Sequence, residues 1–196
     1  MTSTRGFTPG AVTFDLARGV VRLGANAPGL LVPADALGAL LAAAGPEASR
    51  AFGRALGEDL GRAVSDRLSP DAFDRAGTVL AATPEEVLTE LAAAWALAGL
   101  GALGMERWGR ALVMVVEGAP LGSESDALVE AALEGAIRTA SGREARVAAI
   151  AREPLRARFL VGGPSAVAKA RALVARGLSW TEALGALHAP ASRGEA

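Results

Sequence analysis

The segment from Gly104 to Val161 restricts the fold more than any other part of the chain, because its central helix carries both of its own boundaries. It reads strand, helix, strand, strand, at Met105–Glu117, Ser123–Ser141, Arg143–Ala151 and Leu155–Val161. Ser123 with Asp126 three residues on is a capping-box-like start, and Gly142 directly after Ser141 is a helix stop. In the last strand Leu155, Ala157, Phe159 and Val161 alternate with Arg156, Arg158 and Leu160. A period of two with one largely polar set predicts a sheet covered on one side.

Ahead of this segment, Ala11–Leu16 and Gly19–Leu23 predict a hairpin around Ala17-Arg18, followed by a loop from Gly24 to Pro33. Asp35 opens a helical pattern with Leu37, Leu40 and Leu41 on one face, and Gly45-Pro46 breaks it or joins it to the next helix. From Glu47 to Leu68 the apolar positions Phe52, Leu56, Leu60, Val64 and Leu68 recur every four residues, with Arg50, Arg54, Glu58, Asp59 and Arg62 on other faces. Ser69–Ala82 is a polar connection with a short helical turn expected around Phe73. Thr83-Pro84-Glu85-Glu86 then supplies an N-cap, a proline at the first helical position and a glutamate at the third. Val87, Leu88, Leu91, Trp95 and Ala98 carry that helix's buried face to the glycines at 99, 101 and 104.

Beyond Val161, Gly162-Gly163-Pro164 interrupts the chain, a helix runs from Ser165 to Arg176, and Ser179 with Glu182 caps a last one reaching Leu187. The expected organisation is a tail at 1–10, a domain at 11–162, a C-terminal helical appendage at 163–189 and a second tail at 190–196. Met1–Gly10 holds one arginine and no apolar run, unlike a secretory signal.

Composition narrows the function. Hydrophobic residues make up 51% of the 196, yet no run approaches the roughly 18 to 20 needed to cross a bilayer. With 20 basic and 21 acidic residues interspersed, no basic cluster offers the phosphate contacts that nucleic acid requires. The absence of cysteine excludes disulfides, thiol catalysis and thiolate metal sites, and suits a cytoplasmic location. Alanine supplies much of the apolar content and aromatics only 4%, so elements either pack closely or leave room between them.

Taken together, ASRAFGRALGEDLGRAV (48–64), the helix of Pro84–Gly104 ending in LAGLGALG, the strand WGRALVMVVEGAPLG (108–122) and the block ALVEAALEGAIRTASGREARVAAIAREPLRARFLV (127–161) resemble the 4-vinyl-reductase-like domain. That family belongs with the TRAPP-type trafficking subunits and the haem nitric-oxide-binding-like domains. The resemblance spans Ala11 to Val161. It implies an α+β domain, an antiparallel sheet with long helices packed on one face, often dimeric and often enclosing an apolar cavity. Two C-terminal helices would be added here. The family's closing strands typically carry cysteines that contribute to a metal site; the corresponding positions are Ala151 and, in the triplet Ala157-Arg158-Phe159, Ala157.

The candidate ligand-pocket residues are Phe52, Leu56, Trp95, Met105, Trp108, Met114 and Phe159, for which ordinary core is the alternative. Arg156 and Arg158 share a strand face and are candidates for contact with an anion or acidic partner, or are simply solvated. Glu130, Glu134 and Arg138 form a spacing-by-four set that reads as an exposed ion-pair row rather than an acid–base pair. His188, the sole histidine, reads as a helix-end residue, and Gly162–Ser165 as a turn and cap rather than a phosphate loop. No catalytic residue, metal or cofactor is expected. The expectation is a non-enzymatic, homodimeric domain that buries a small apolar molecule between helices and sheet and acts through an unidentified protein partner. The alternatives are a ligand-free adaptor subunit and, third, an enzyme or accessory protein of tetrapyrrole metabolism.

Overall fold

The computed structural model describes residues 12–23, 27–68 and 82–188. The helical turn expected around Phe73 and both expected tails lie outside the described residues. The architecture is α+β, with a three-stranded meander, a four-stranded antiparallel sheet and helices on both of that sheet's faces.

The meander joins β1 (Val12–Asp15), β2 (Val20–Leu23) and β3 (Ala27–Gly29) in sequential antiparallel order. A helix of Ala34–Leu68, α1, follows and is bent at Gly45, whose φ of 82° and ψ of 175° leave the helical region ahead of Pro46. Next comes α2 (Pro84–Leu97), started by a full capping box: the Thr83 hydroxyl accepts from the Glu86 N–H at 3.2 Å, and the Glu86 carboxylate accepts from the Thr83 N–H at 2.8 Å.

The stretch Met105–Glu117 is not a single strand but a hairpin of β4 (Ala102–Trp108) and β5 (Ala111–Glu117). The chain reverses at Gly109-Arg110, where Gly109 takes φ +58°, so that Met105 faces Met114 across the ladder. The expected side-chain cap at Ser123 is also absent. A short 3₁₀ turn (Ser123–Ser125) leads into α3 (Asp126–Ser141), and the Ser125 hydroxyl donates to the Gly122 carbonyl at 2.6 Å. The other end is as read: Gly142, in the left-handed conformation at φ 66°, stops α3. Strands β6 (Arg146–Glu153) and β7 (Arg156–Gly162) then complete the sheet in the order β4-β5-β7-β6.

Three glycines determine how α1 meets α3. A Cβ on Gly53 would lie 2.3 Å from the Leu128 carbonyl oxygen, one on Gly57 2.1 Å from that of Ala132, and one on Gly61 2.6 Å from the Thr139 Cβ. The side of α1 that touches α3 is therefore its smallest-residue side, Ser49-Gly53-Gly57-Gly61, and backbones rather than side chains fill the contact. Phe52, one residue and about 100° of helical rotation from Gly53, is turned outward and 48% exposed. Leu60 and Val64 are buried as expected.

The sheet is covered on both faces, not one. On one side Met114, Val116, Val147, Ala157 and Phe159 pack with residues of α1, α2 and α3. On the other, Val113, Val115, Ala148, Ile150 and Leu160 pack with Val167 and Ala170 of α4 (Pro164–Ala175) and Leu184 of α5 (Trp180–His188). Of the polar set of β7, Arg158 and Leu160 are buried on the face that the two C-terminal helices cover, and Arg156 stays partly exposed.

Candidate functional site

On the α1–α3 side the structure assembles most of the apolar candidates. Trp95 and Phe159 are wholly buried and Met114 nearly so, with half-buried Met105 and Leu56 packed against them. Met114 is the direct register neighbour of both Met105 and Phe159, so three adjacent strands present one aligned row. The Trp95 indole N–H donates to the Leu100 carbonyl at 3.1 Å, which fixes the ring and satisfies its polar atom where α2 turns into β4. Two candidates fall elsewhere. Phe52 is on the outer side of α1, and Trp108, an odd three residues from Met105 along the same strand, points to the opposite sheet face.

Beside this row is a small apolar cleft of about 10 Å³, lined among others by Leu100, Leu121, Val129, Ala157 and Phe159. That is room for about one water molecule. The cleft adjoins an open groove of about 490 Å³ between the 118–122 loop and the β6–β7 turn, and Val116, Ala119, Pro120, Leu121, Arg152 and Ala157 border both. Arg152 bridges the boundary: it ion-pairs with Asp126 and donates to the Leu121 carbonyl at 3.5 Å. Leu100, Leu121, Val129 and Arg152 were not among the sequence candidates; what unites them is the convergence of loops far apart in the chain.

The opposite sheet face holds a cluster of charged and aromatic side chains. Arg158 is 7% exposed, donates to Glu153 at 2.6 Å and Glu106 at 3.4 Å, and sits 4.8 Å from the Trp180 ring centroid. Trp108 meets Trp180 edge to face at 4.8 Å and donates its indole N–H to Glu106 at 3.0 Å. Burial works to lower the Arg158 pKa, but the Glu153 hydrogen bond and the charges of Glu106 and Glu153 outweigh it and hold the guanidinium above its usual value. The Trp108 hydrogen bond, and after it Arg158, keeps the Glu106 carboxyl below the ordinary carboxylate range against the effect of its burial. Arg158 is thus an internal clasp for α5 rather than a solvated contact. Arg156 pairs with Glu117 and remains partly exposed.

The remaining candidates have structural partners. Glu130 and Glu134 do not form an intrahelical row with Arg138. They accept from the Ala149 and Val147 N–H groups, each at 2.8 Å, satisfying the free donors of edge strand β6. Arg138 instead reaches Glu58 on α1 at 2.5 Å. The His188 Nε2 accepts from the Arg110 N–H at 2.9 Å and its Nδ1 donates to the Leu184 carbonyl at 2.7 Å, so the imidazole ties the end of α5 to the β4–β5 turn. Gly163 is a plain N-cap followed by Pro164. Among the described residues no group of His, Asp or Glu is placed to hold a metal ion. None of the described helices is long and apolar enough to cross a membrane.

No family model matches the chain, and no curated protein matches it in sequence. The fold does find a relative among solved structures. The phenol-responsive sensory domain of the transcription activator PoxR, solved with phenol, superposes with a TM-score of 0.55 at 14% identity, covering 91% of this chain and 92% of that one. The fold resembles that of a small-molecule sensory domain. The likeness extends over nearly the whole of both chains and accords with the α+β arrangement that the sequence resemblance implies.

Proposed function

We propose that this chain is a non-enzymatic regulatory domain that takes up a small apolar molecule between its α1–α3 helices and the sheet. On this reading it works as a cytoplasmic homodimer and passes ligand occupancy to a separate protein partner. The observation that carries the reading is the apolar cleft against Phe159, which adjoins the groove and lies within a fold like that of a phenol-responsive domain. A space of about 10 Å³ is far below the few hundred that a ligand site occupies, so binding selects a conformation in which the cleft is open. The segment able to open it is the 118–122 loop, held by Arg152 at Leu121 and Asp126 and turned at Gly118 with φ +62°. Outward movement of Leu121 joins cleft to groove, and the displaced 3₁₀ turn passes the change to α3.

The test is native mass spectrometry of the purified protein before and after denaturing extraction, followed by calorimetric titration with phenol as a probe. The expected result is a copurified apolar molecule or saturable phenol binding, abolished when Ala157→Leu fills the cleft. An empty protein that binds no probe overturns the reading in favour of the second one, a ligand-free interaction subunit. What favours that alternative is the small volume of the cleft together with apolar side chains left on the surface, such as Leu30 at 83% exposure.

A further inference from the structure

The apolar cleft against Phe159 has two polar side chains in its lining, Ser125 and Arg152. The Ser125 hydroxyl is committed to the Gly122 carbonyl at 2.6 Å, and the residue is 1% exposed. Arg152 is therefore the group that decides which polar head a ligand can carry. Its position follows from the ladder: Arg152 is the register partner of Ala157, so its side chain rises on the same sheet face as the methyl group that lines the cleft. Glu153 and Arg156, the other charged residues of the groove, are register partners one step along and belong to the opposite face, where Glu153 pairs with Arg158. The Arg152 side chain is only 26% exposed, and its two terminal nitrogens are unequally served. Nη2 pairs with Asp126, while Nη1 has the Leu121 carbonyl at 3.5 Å, beyond ordinary hydrogen-bond length.

We propose that the ligand is a small apolar carboxylate, with its body in the cleft and its head on Nη1 of Arg152. This inference rests on the ligand-uptake reading above and names the ligand's chemistry. Opening of the cleft moves Leu121 outward and takes its carbonyl from Nη1, which leaves a largely covered positive charge short of an acceptor. A carboxylate replaces that carbonyl with a shorter, charge-assisted bond, roughly twice as strong as a neutral one. A neutral phenol does less. The guanidinium only donates, and neither a carboxylate nor an imidazole is among the described residues lining the cleft to accept the phenol proton. Asp126 is the competitor, since it shares the guanidinium with the incoming head. It keeps Nη2, so the two carboxylates take different nitrogens of one cation, and water in the open groove weakens their repulsion.

The test is calorimetric titration of the full chain at neutral pH with phenol, benzamide and benzoate, the last two sharing a ring and a planar head but differing in charge. The natural chain is expected to bind benzoate roughly tenfold more tightly than benzamide. Arg152→Gln is expected to erase that ratio. Asp126→Asn, which keeps Arg152 and removes its competing carboxylate, is expected to widen it severalfold; a folding defect common to both variants would not move the ratio in opposite directions. Binding of phenol or benzamide with benzoate no tighter than benzamide overturns this inference and leaves the apolar-ligand reading standing. A benzoate preference that survives Arg152→Gln, or that fails to rise in Asp126→Asn, overturns the assignment of the head group to Arg152. A chain that binds none of the three probes overturns the ligand reading and this inference together.

Discussion

The two faces of the central sheet are closed by opposite means. On the α1–α3 face the contact is apolar and very short, because glycines let the α1 backbone reach the α3 carbonyls and leave Trp95 and Phe159 fully buried behind them. On the α4–α5 face a buried arginine is placed under an aromatic pair and balanced by two carboxylates. The first arrangement has no room for a Cβ at Gly53, Gly57 or Gly61. The second depends on each charged partner being present. A face that relies on volume is suited to sensing whether something has entered it; a face that relies on a charge clasp is suited to holding the C-terminal helices in place.

The sharpest way to break this contrast is to make the same substitution on both sides. Gly57→Ala places a Cβ 2.1 Å from the Ala132 carbonyl oxygen, a backbone atom that cannot step aside. The helices must separate, and a loss of about 3 kcal/mol is expected even after the gain in helix propensity. Gly185→Ala, on the outer side of α5 with nothing within 4 Å of the added carbon, is expected to stabilise by about 0.5 to 1 kcal/mol. Urea denaturation of the two variants gives both numbers. Equal effects of the same sign would show that the close approach of α1 to α3 is not what distinguishes the faces.

Arg158→Ala is next in size. It leaves Glu106 partly buried without its cation and removes the group that packs on Trp180. Since Glu153 stays half exposed and can rehydrate, the cost is expected near 2 kcal/mol rather than that of a fully buried pair. Arg158→Met, which keeps the stem without the charge, is expected to recover part of it. The effect should be seen as faster hydrogen exchange confined to α5, and exchange that rises equally in α1 and α2 would contradict a clasp that serves one face.

What the sequence disclosed about these faces follows from how far the deciding atoms lie apart along the chain. The capping boxes at Thr83 and Ser179, the Gly142 stop and the Gly45-Pro46 joint were all legible, because each is settled within about four residues by backbone chemistry. The turn at Gly109 was obscured because Met105–Glu117 stays apolar and strand-like across it. The serine-glycine row at 49, 53, 57 and 61 was also in plain view. Its spacing coincides with that of Phe52, Leu56, Leu60 and Val64, and size rather than hydrophobicity decided which row met α3. Arg158 reads as solvated beside Arg156 until Trp180 and Glu106, the latter 52 residues away, come to lie over it. Trp95, Met105, Met114 and Phe159 could be grouped from sequence as large residues near one segment, whereas Trp108 belonged to the other face by its odd spacing from Met105 within one strand.

The same capping device occurs once on each face, which separates local from global stability. Thr83→Ala removes the cap of α2, whose Leu91, Ala94 and Trp95 are core, and is expected to cost about 1 kcal/mol of overall stability. Ser179→Ala removes the equivalent cap of α5, with its 2.6 Å bond to Glu182. Its expected effect on the thermal midpoint is smaller, because α5 can fray while the remaining layers persist. A larger loss from Ser179→Ala would mean that α5 is integral to the cooperative unit rather than clasped to it.

Acidity provides the finest test of the clasp. The folded state holds the Glu106 carboxyl below its ordinary value of 4.5 through Trp108 and Arg158. A depressed carboxylate contributes stability that is fully present above the ordinary value and is lost as pH falls through the folded one. Glu86 and Glu182 are shifted the same way by their caps, so the natural chain should lose stability on acidification from all three. Glu106→Gln keeps a hydrogen-bond acceptor for Trp108 but cannot titrate. In urea midpoints taken from neutral pH down through the carboxylate range, this variant should start below the natural chain and then fall less steeply, by a slope equivalent to less than one proton. Because Glu106 belongs to the α4–α5 face, the convergence of the two curves at acid pH should be accompanied by equal hydrogen exchange in α5. Parallel curves would mean that Glu106 keeps the same affinity for its proton in the folded and unfolded chain, and the clasp would then rest on Glu153 alone.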